Sequence, residues 1–225
     1  MFGVSPDRIA LIAPPFPVED FARLPSPGLF RSKYDIKDKR VVMFLGRLHW
    51  IKGIDFLVES FAELAKSRTD VLLAIVGPDD GYKSTLDKLI ADLRLADRVL
   101  FTGFLGGNDK LAALVDADVV VQSSRYENAA WAPIEAVLCG TPVIVTKGSG
   151  SGEDVSRMGA GYLVEFGDKS QMAQTIRAIL DDPSEAREKV RRAKEYINAN
   201  LRFQHKVEEY ETLYQQCREA ARRRK

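Results

Sequence analysis

Two cations flanked by glycines follow the first β-branched run of the sequence, Val41 to Leu45. They belong to the segment Gly46-Arg47-Leu48-His49-Trp50-Ile51-Lys52-Gly53. A pyrophosphate needs charge compensation and close backbone approach, and here Arg47 offers a planar fork while Lys52 offers a mobile point charge. An ordinary strand-to-helix loop with surface cations is the alternative. The dinucleotide fingerprint G-x-G-x-x-G is absent after this run, which argues against a nicotinamide dehydrogenase.

Two glutamates separated by seven residues follow a later β-branched run, Asp118 to Gln122. Glu127 is expected in a loop, and Glu135 in the first turn of a helix that Pro133 is suited to begin. Because a carboxylate accepts hydrogen bonds from vicinal hydroxyls, one glutamate at a ribose and the other at a hexose is chemically reasonable. The amides of the helix start would add a second phosphate site. Taken alone, the spacing favours simpler roles, a solvated loop acid for Glu127 and dipole complementarity for Glu135.

The elements that must position these residues are short strands alternating with helices. From Arg40 onward the pattern predicts an α/β fold with a Rossmann-like parallel sheet of about six strands flanked by helices, and with extra C-terminal helices. The strands are predicted near Val41 to Leu45, Val71 to Val76, Val99 to Thr102, Asp118 to Gln122, Pro142 to Val145 and Gly161 to Val164. The helices are predicted near Gly53 to Lys66, Ser84 to Leu93, Asp109 to Val115, Pro133 to Leu138, Lys169 to Leu180, Ser184 to Asn198 and Phe203 to Arg224. In such a sheet, ligands sit beyond the carboxyl ends of the strands, where both charged segments fall.

The composition excludes several classes of function. The 225 residues carry 33 Lys and Arg against 32 Asp and Glu, so the net charge of +1 gives no reason to expect nucleic acid as a partner. Cys139 and Cys217 lack the spacing of metal ligands and favour a reducing compartment. No stretch approaches the ~20 apolar residues of a spanning helix. We therefore expect a cytoplasmic protein without a metal or a transmembrane segment.

Four ordered segments resemble a known family. They are GRLHWIKGIDFLV, LLAIVGPDDG, VLFTGFL, and an E-x7-E pair that continues into EAVLCGTPVIVTKGSGSGEDV. Together they resemble the C-terminal domain of retaining glycosyltransferases of the GT-B fold, in family four, from about Ser5 to the end of the chain. In those enzymes two Rossmann-like domains face each other across a cleft, the C-terminal one binding the nucleotide sugar and the N-terminal one the acceptor. The resemblance implies one half of a GT-B fold that uses a UDP-, GDP- or ADP-hexose and no cofactor.

The resemblance also assigns roles to residues. Arg47 and Lys52 would contact the donor diphosphate and stabilise the leaving nucleotide in place of a metal ion, and with Glu127 they form the expected catalytic set. Glu135 would bind the ribose hydroxyls and Glu127 the hexose. The remaining residues expected at the donor are Gly46, then Gly103, Phe104 and Leu105 against the nucleobase, and Asn128, Ala129, Ala130 and Trp131 near the sugar and phosphate. Gly77 and Pro78 would line the same cleft or serve only as a turn, and for Trp131 packing is the alternative to sugar stacking.

One departure from the family lies between the two glutamates. The family commonly has a Gly-Phe-Gly run there, whereas this chain has Asn128-Ala129-Ala130-Trp131. The loss of two glycines restricts positive φ angles in a loop that should approach the sugar. An alternative function is therefore a non-catalytic GT-B-like interaction module with weakened sugar binding. A sugar-nucleotide epimerase or a phosphorylase of similar build would need acidic, histidine or lysine sets that cannot be assigned here.

Three divisions of the chain are expected. Residues 1–39 contain five prolines between 14 and 27 and are expected to be an interdomain lead-in, residues 40–200 the donor-binding domain, and residues 201–225 a helix that crosses to an N-terminal acceptor domain. Nothing in the sequence corresponds to that acceptor domain. We expect the full-length protein to be a hexosyltransferase, with peripheral association at the cytoplasmic face of a membrane as an option, and the isolated chain to lack turnover.

Overall fold

Six β-branched runs form a parallel sheet, as the sequence predicts. The computed structural model describes residues 3–5, 8–10, 12–128 and 131–222. The strands are β1 (Arg40–Leu45), β2 (Val71–Val76), β3 (Val99–Gly103), β4 (Val119–Gln122), β5 (Val143–Thr146) and β6 (Gly161–Val164). Their order across the sheet is β3-β2-β1-β4-β5-β6, and all neighbouring pairs are parallel. The Rossmann-like sheet is thus confirmed.

Helices connect and cover the strands. Within the described residues they are α1 (Leu29–Lys33), α2 (Ile54–Ala65), α3 (Lys83–Asp92), α4 (Gly107–Asp116), α5 (Ala132–Cys139), α6 (Gly150–Met158), α7 (Lys169–Asp181), α8 (Ser184–Asn200) and α9 (Phe203–Arg222). Sequence patterns did not predict α1 or α6. The first is only five residues long in a proline-rich segment, and the second begins with the poor helix formers Gly150, Ser151 and Gly152. Tertiary hydrogen bonds, described below for both, outweigh these local preferences.

Both faces of the sheet are buried, and one hydrophobic cluster covers one of them. Strand side chains alternate between the faces, so Val42 and Phe44 of β1 and Val119 and Val121 of β4 point the same way. They pack in one buried cluster with side chains of α2 and α7. The opposite face of β4 and β5 is in contact with α5. A residue at the end of β4 that is out of step with Val119 and Val121 therefore faces α5.

The strand order creates the crevice that positions the candidate site. From β1 the chain moves outward to β2 and β3, whereas from β4 it moves the other way to β5 and β6. The two connections that leave the carboxyl ends of β1 and β4 consequently diverge to opposite sides. Ligands of open parallel sheets bind at such a switch point. Residues 46–53 and 123–128, which belong to the two charged segments of the sequence, flank it.

The chain divides into two compact units at other residues than the predicted boundaries. One unit comprises Met1–Ala22 with Glu195–Lys225, and the other comprises Arg23–Lys194. In the first unit, the backbone N–H of Phe16 donates to the carbonyl of Leu201 at 2.8 Å, and Arg202 pairs with Glu19 at 3.2 Å. None of the helices within the described ranges is long and apolar enough to cross a membrane.

Residues 23–39 belong with the sheet because Asp116 holds them there. The Asp116 side chain at the end of α4 is buried and accepts hydrogen bonds from the backbone N–H groups of Gly28, Phe30 and Arg31 at 2.6, 2.8 and 3.1 Å. Helix α1 has no N-cap side chain of its own at Gly28. A carboxylate distant in sequence therefore supplies the cap that this short helix lacks.

We expect Asp116→Ala to lower the free energy of unfolding by about 2–4 kcal/mol, because three backbone amides lose a charged acceptor. Chemical denaturation of the purified chain measures this. Asp109→Ala on the same helix is the matched control, since its carboxylate pairs with Lys33 at the surface and should leave stability nearly unchanged. Equal stability of the two variants would show that α1 does not depend on Asp116.

Candidate functional site

The turn after β1 is fixed against the turn after β2. The backbone N–H of Gly46 donates to the carbonyl of Val76 at 2.9 Å, and that of Leu48 donates to Pro78 at 2.9 Å. Gly77 has a φ of +148°, and a Cβ atom there would lie 1.9 Å from the carbonyl oxygen of Gly46. Only glycine allows the two backbones to approach this closely. Because Arg47 directly follows Gly46, this contact sets the position of its backbone.

Lys52 lies at the end of a short 3₁₀ turn that docks on the end of β4. The turn spans Trp50–Lys52, and its first amides are capped by His49, whose Nδ1 accepts from the backbone N–H of Ile51 at 3.3 Å. Ser123 donates its hydroxyl to the carbonyl of Lys52 at 3.1 Å. His49 thus has a local structural role. The lysine backbone is held at the switch point of the sheet.

Glu127 contacts Lys52 across the switch point. Its carboxylate forms a short ion pair with the Lys52 ammonium, and the two side chains are only 12% and 17% exposed. The loop that carries Glu127 rests on the start of α6, where the backbone N–H of Gly150 donates to the Glu127 carbonyl at 2.7 Å. A Cβ atom at Gly150 would lie 1.7 Å from the Asn128 oxygen. The glycine-rich start of α6, which argues against a helix in the sequence, is what allows this approach.

Arg125 ties the same loop to α2. Its guanidinium forms a bidentate ion pair with Asp55, with Nη1 to Oδ1 at 2.8 Å, and also donates to the carbonyl of Trp50 at 2.6 Å. Burial by itself would raise the pKa of Asp55, but the hydrogen bonds and charge of Arg125 outweigh it and hold that pKa below its ordinary value. The carboxylate is therefore a charged anchor for the loop that precedes Glu127.

Glu135 lies in the first turn of α5, as predicted, and it has a partner that the sequence reasoning missed. Helix α5 begins at Ala132 with Pro133 in its first turn, and the backbone N–H of Glu135 donates to the carbonyl of Trp131 at 2.9 Å. The Glu135 carboxylate pairs with Lys110 of α4 at 2.7 Å and is 13% exposed. The side chain is consequently held in one position between two helices.

A cavity of about 370 Å³ at the carboxyl edge of the sheet collects most of the predicted residues. Its lining includes Gly46, Arg47, Lys52, Gly77, Pro78, Phe104, Leu105, Trp131 and Glu135 from the prediction, and Leu45, Lys110, Gln122 and Ala132, which were not predicted. Gly103, Glu127 and Asn128 are outside this lining, although Glu127 is joined to it through Lys52. Ala129 and Ala130 lie outside the described residues. Trp131 lines the cavity and is 46% exposed, so it is not part of the buried core.

Each cation that lines this cavity has an acidic partner. Arg47 pairs with Asp80 at 2.5 Å, while Lys52 and Lys110 pair with the two glutamates of the E-x7-E motif. The Arg47 pair is exposed, whereas the two lysine pairs are mostly shielded from water. An anion that enters the cavity must therefore exchange with or share these partners. Within the described residues, no group of three or more His, Cys, Asp or Glu side chains could hold a metal ion.

Two missed residues carried signals in the sequence. Gln122 is the only polar residue in the strand Val-Val-Val-Gln, and it stands at the carboxyl end of β4 where ligand contacts are expected. Lys110 is a cation near the start of α4, a position that the helix dipole disfavours, so a nearby anion was to be expected. Gln122 was missed because it is the last residue of its strand, whereas ligand contacts were predicted for the residues that follow each strand.

The anchor between Arg125 and Asp55 should show in the pH dependence of stability. Because the pKa of Asp55 is lower in the folded than in the unfolded chain, its contribution is complete above the unfolded value and is lost as the pH falls through the folded value. We expect Asp55→Asn to be about 1 kcal/mol less stable than the wild type at pH 7, since the pair is partly screened by solvent. Urea unfolding should show the same gap at pH 5 and a smaller one below pH 3.8.

Asp92→Asn, which alters an exposed carboxyl at the end of α3, is the control for this measurement and should show no gap at either pH. A gap for Asp55→Asn that stays constant down to pH 3 would mean that the carboxylate charge does not contribute.

Comparison with known proteins identifies the family. The profile of the family described as glycosyl transferases group 1 matches residues 29–198. Among curated relatives, 2-deoxystreptamine glucosyltransferase of Streptomyces kanamyceticus is 31% identical over 157 residues, which cover 70% of this chain and 40% of that protein. The chain spans 40–48% of the length of the first curated relatives it matches.

Solved structures share the fold. Sucrose-phosphate synthase of Thermosynechococcus elongatus is 29% identical with a TM-score of 0.79, covering 94% of this chain and 53% of that one. HepE of Anabaena, solved in complex with UDP-glucose, is 24% identical with a TM-score of 0.80, covering 95% of this chain and 59% of that one. These likenesses confirm the prediction of one half of a GT-B fold. Together with the family match over residues 29–198, they establish that the chain belongs to the glycosyl transferases group 1 family.

Proposed function

We propose that this chain is the donor-binding domain of a retaining glycosyltransferase that transfers a hexose from a nucleotide-diphosphate sugar to an acceptor. The observation that carries the proposal is the convergence of Arg47, Lys52 and Glu135 on one cavity at the switch point of the sheet. Arg47 and Lys52 belong to the turn after β1, and Glu135 belongs to α5, which follows β4. The family membership of the chain and the UDP-glucose complex of HepE support the same ligand class.

The phosphate end of the ligand lies at the two cations of the turn after β1. Arg47 exchanges Asp80 for the diphosphate, to which its planar fork can donate two hydrogen bonds. The Lys52 ammonium has three donors, so it can keep Glu127 and still reach a phosphate oxygen. Both cations then oppose the negative charge that grows on the nucleotide as the glycosidic bond breaks.

The nucleoside and sugar ends extend to either side of these cations. Glu135 accepts hydrogen bonds from ribose hydroxyls while Lys110 holds its carboxylate in place. The nucleobase lies against Phe104 and Leu105, and Phe104 is 73% exposed and free to cover it. Glu127, Asn128 and Trp131 face the hexose.

Turnover requires a second domain. Because the chain spans less than half the length of the first curated relatives, we assign the acceptor site to an N-terminal domain of the whole enzyme. The isolated chain then binds donor without transferring the sugar. The division at residues 39 and 200, the cytoplasmic location and the lack of a cofactor stay predictions.

Opposite changes at one ion pair test the diphosphate site. We expect Arg47→Ala to weaken binding of UDP-, GDP- or ADP-glucose by about 10- to 100-fold, because a charge-assisted bidentate contact is lost. Asp80→Asn should tighten binding by about 2- to 5-fold, because Arg47 no longer has to leave a carboxylate. Isothermal titration calorimetry at low ionic strength measures both.

Arg191→Ala and Glu188→Gln alter a similar exposed pair on α8, at 2.8 Å, and should leave donor binding unchanged. Absence of binding by all three sugar nucleotides at millimolar concentration, together with an indifferent Arg47→Ala variant, would rule the proposal out.

The sugar end is tested by comparing a donor with its nucleotide. We expect Glu127→Ala to abolish any preference for UDP-glucose over UDP, a loss of about 3- to 10-fold, because hydroxyl acceptors are removed. Binding of UDP itself should persist, since Lys52 keeps its charge. If Glu127→Ala is neutral and Ala130→Gly brings no gain in donor affinity, the alternative of a non-catalytic interaction module is favoured instead.

A further inference from the structure

Gln122 carries a buried oxygen atom without a partner. Its side chain amide, 3% exposed at the end of β4, donates from Nε2 to the Ser124 hydroxyl at 2.7 Å. Its Oε1 accepts no hydrogen bond and is the one buried side-chain N or O atom in this condition across the part of the chain that the structure describes. Buried polar groups in proteins are nearly always paired, so an orphaned acceptor next to a cavity points to a ligand.

The strand geometry places this acceptor beside Glu135. Val119 and Val121 point to the core formed with α2 and α7, so Gln122, one residue out of step, faces the side covered by α5. Glu135 of α5 and Gln122 both line the cavity described above. Two hydrogen-bond acceptors, an amide carbonyl and a carboxylate, therefore converge on the same space from β4 and α5.

The chemistry of two converging acceptors selects the group that lies between them. A phosphate oxygen is itself an acceptor and would be repelled, and an apolar group would leave the Gln122 oxygen unpaired. A pair of hydroxyls satisfies both, because each can donate to one acceptor. Of the three cations that line the cavity, Lys110 stays with Glu135, and Arg47 and Lys52 are left to take the phosphates.

We propose that Gln122 accepts a hydrogen bond from a ribose hydroxyl of the bound nucleotide and makes the site selective for ribonucleotides over deoxyribonucleotides. This inference rests on the proposed function, since it assumes that a nucleoside diphosphate occupies the cavity. A site built to bond a hydroxyl rejects the analogue that lacks it, because the buried acceptor is then left unpaired. The Gln122 amide is the one polar side chain in a strand that otherwise consists of valines.

The opposite orientation of the amide gives a different outcome. If Gln122 turned its Nε2 to the cavity and accepted from the Ser124 hydroxyl, it would donate to a phosphate oxygen. Removal of the amide would then weaken ribonucleotides and deoxyribonucleotides by the same factor. Comparing the two ligand classes therefore separates the orientations.

The test is a cycle of one substitution and one ligand change, measured by calorimetry with the 225-residue chain. UDP, GDP and ADP are titrated first, and the tightest binder is compared with its 2′-deoxy and 3′-deoxy forms. We expect the wild type to prefer the ribonucleotide over at least one deoxy form by about 3- to 10-fold, the worth of one hydrogen bond. Gln122→Met, of similar length without the acceptor, should lose this preference, because it weakens the ribonucleotide and the deoxy form that keeps the bonded hydroxyl but not the form that lacks it.

Stability separates a ligand contact from a structural role. We expect the thermal unfolding midpoint of Gln122→Met to equal or exceed that of the wild type, because an unpaired buried oxygen is removed. Gln174→Met on α7 is the matched control, since Gln174 also donates its amide to a serine hydroxyl, at 3.1 Å, but lies on the surface away from the cavity. It should change neither affinity nor ligand preference.

Two results overturn the inference. One is a wild-type chain that binds both deoxy forms as tightly as the ribonucleotide, which needs no variant to fold. The other is a Gln122→Met variant that weakens all three ligands equally. If none of UDP, GDP and ADP binds the wild type, both the proposed function and this inference are wrong. If a nucleotide binds but its preference over the deoxy forms does not depend on Gln122, only this inference is wrong.

Discussion

The ion pair between Lys52 and Glu127 joins the two connections that leave the sheet in opposite directions. One partner ends the turn after β1 and the other belongs to the loop after β4, so the pair spans the switch point. The backbone of each partner accepts a further hydrogen bond. The Ser123 hydroxyl donates to the carbonyl of Lys52, and the N–H of Gly150 at the start of α6 donates to the carbonyl of Glu127. Both side chains are largely shielded from water, so the pair links the two connections beside the cavity.

The cations around the cavity are balanced by carboxylates of the chain itself. Three cations meet three carboxylates, and in two pairs the carboxylate belongs to the E-x7-E motif. A buried charge without a partner is costly, so the pairing stabilises these side chains. The same pairing means that a diphosphate gains less from the cations than their number suggests, because it competes with Asp80 and the two glutamates. The same ion pairs thus stabilise the folded chain and lower its affinity for a diphosphate.

The sequence predicted what depends on local pattern and missed what depends on distant partners. Buried parallel strands appear as β-branched runs, so all six were found within about two residues at each end. Asp116 caps α1, and the loop that carries Glu127 contacts the start of α6, but neither partner is visible in the residues of the helices themselves. Arg47, Lys52 and Glu135 were singled out by residue type and spacing, and their shared role was predicted from the resemblance to the family. Lys110 and Gln122 were missed, because their weaker signals gain meaning only from the cavity that the fold creates.

The cap that Asp116 provides for α1 has a consequence for exchanging this domain between enzymes. If a foreign chain is joined at residue 39, just before the first strand, the transplanted domain keeps Asp116. It loses the amides of α1 that this carboxylate binds. A junction near Arg23 carries helix, carboxylate and sheet together as one transplantable piece. The suitable junction for recombination therefore lies upstream of the first strand, within the proline-rich stretch.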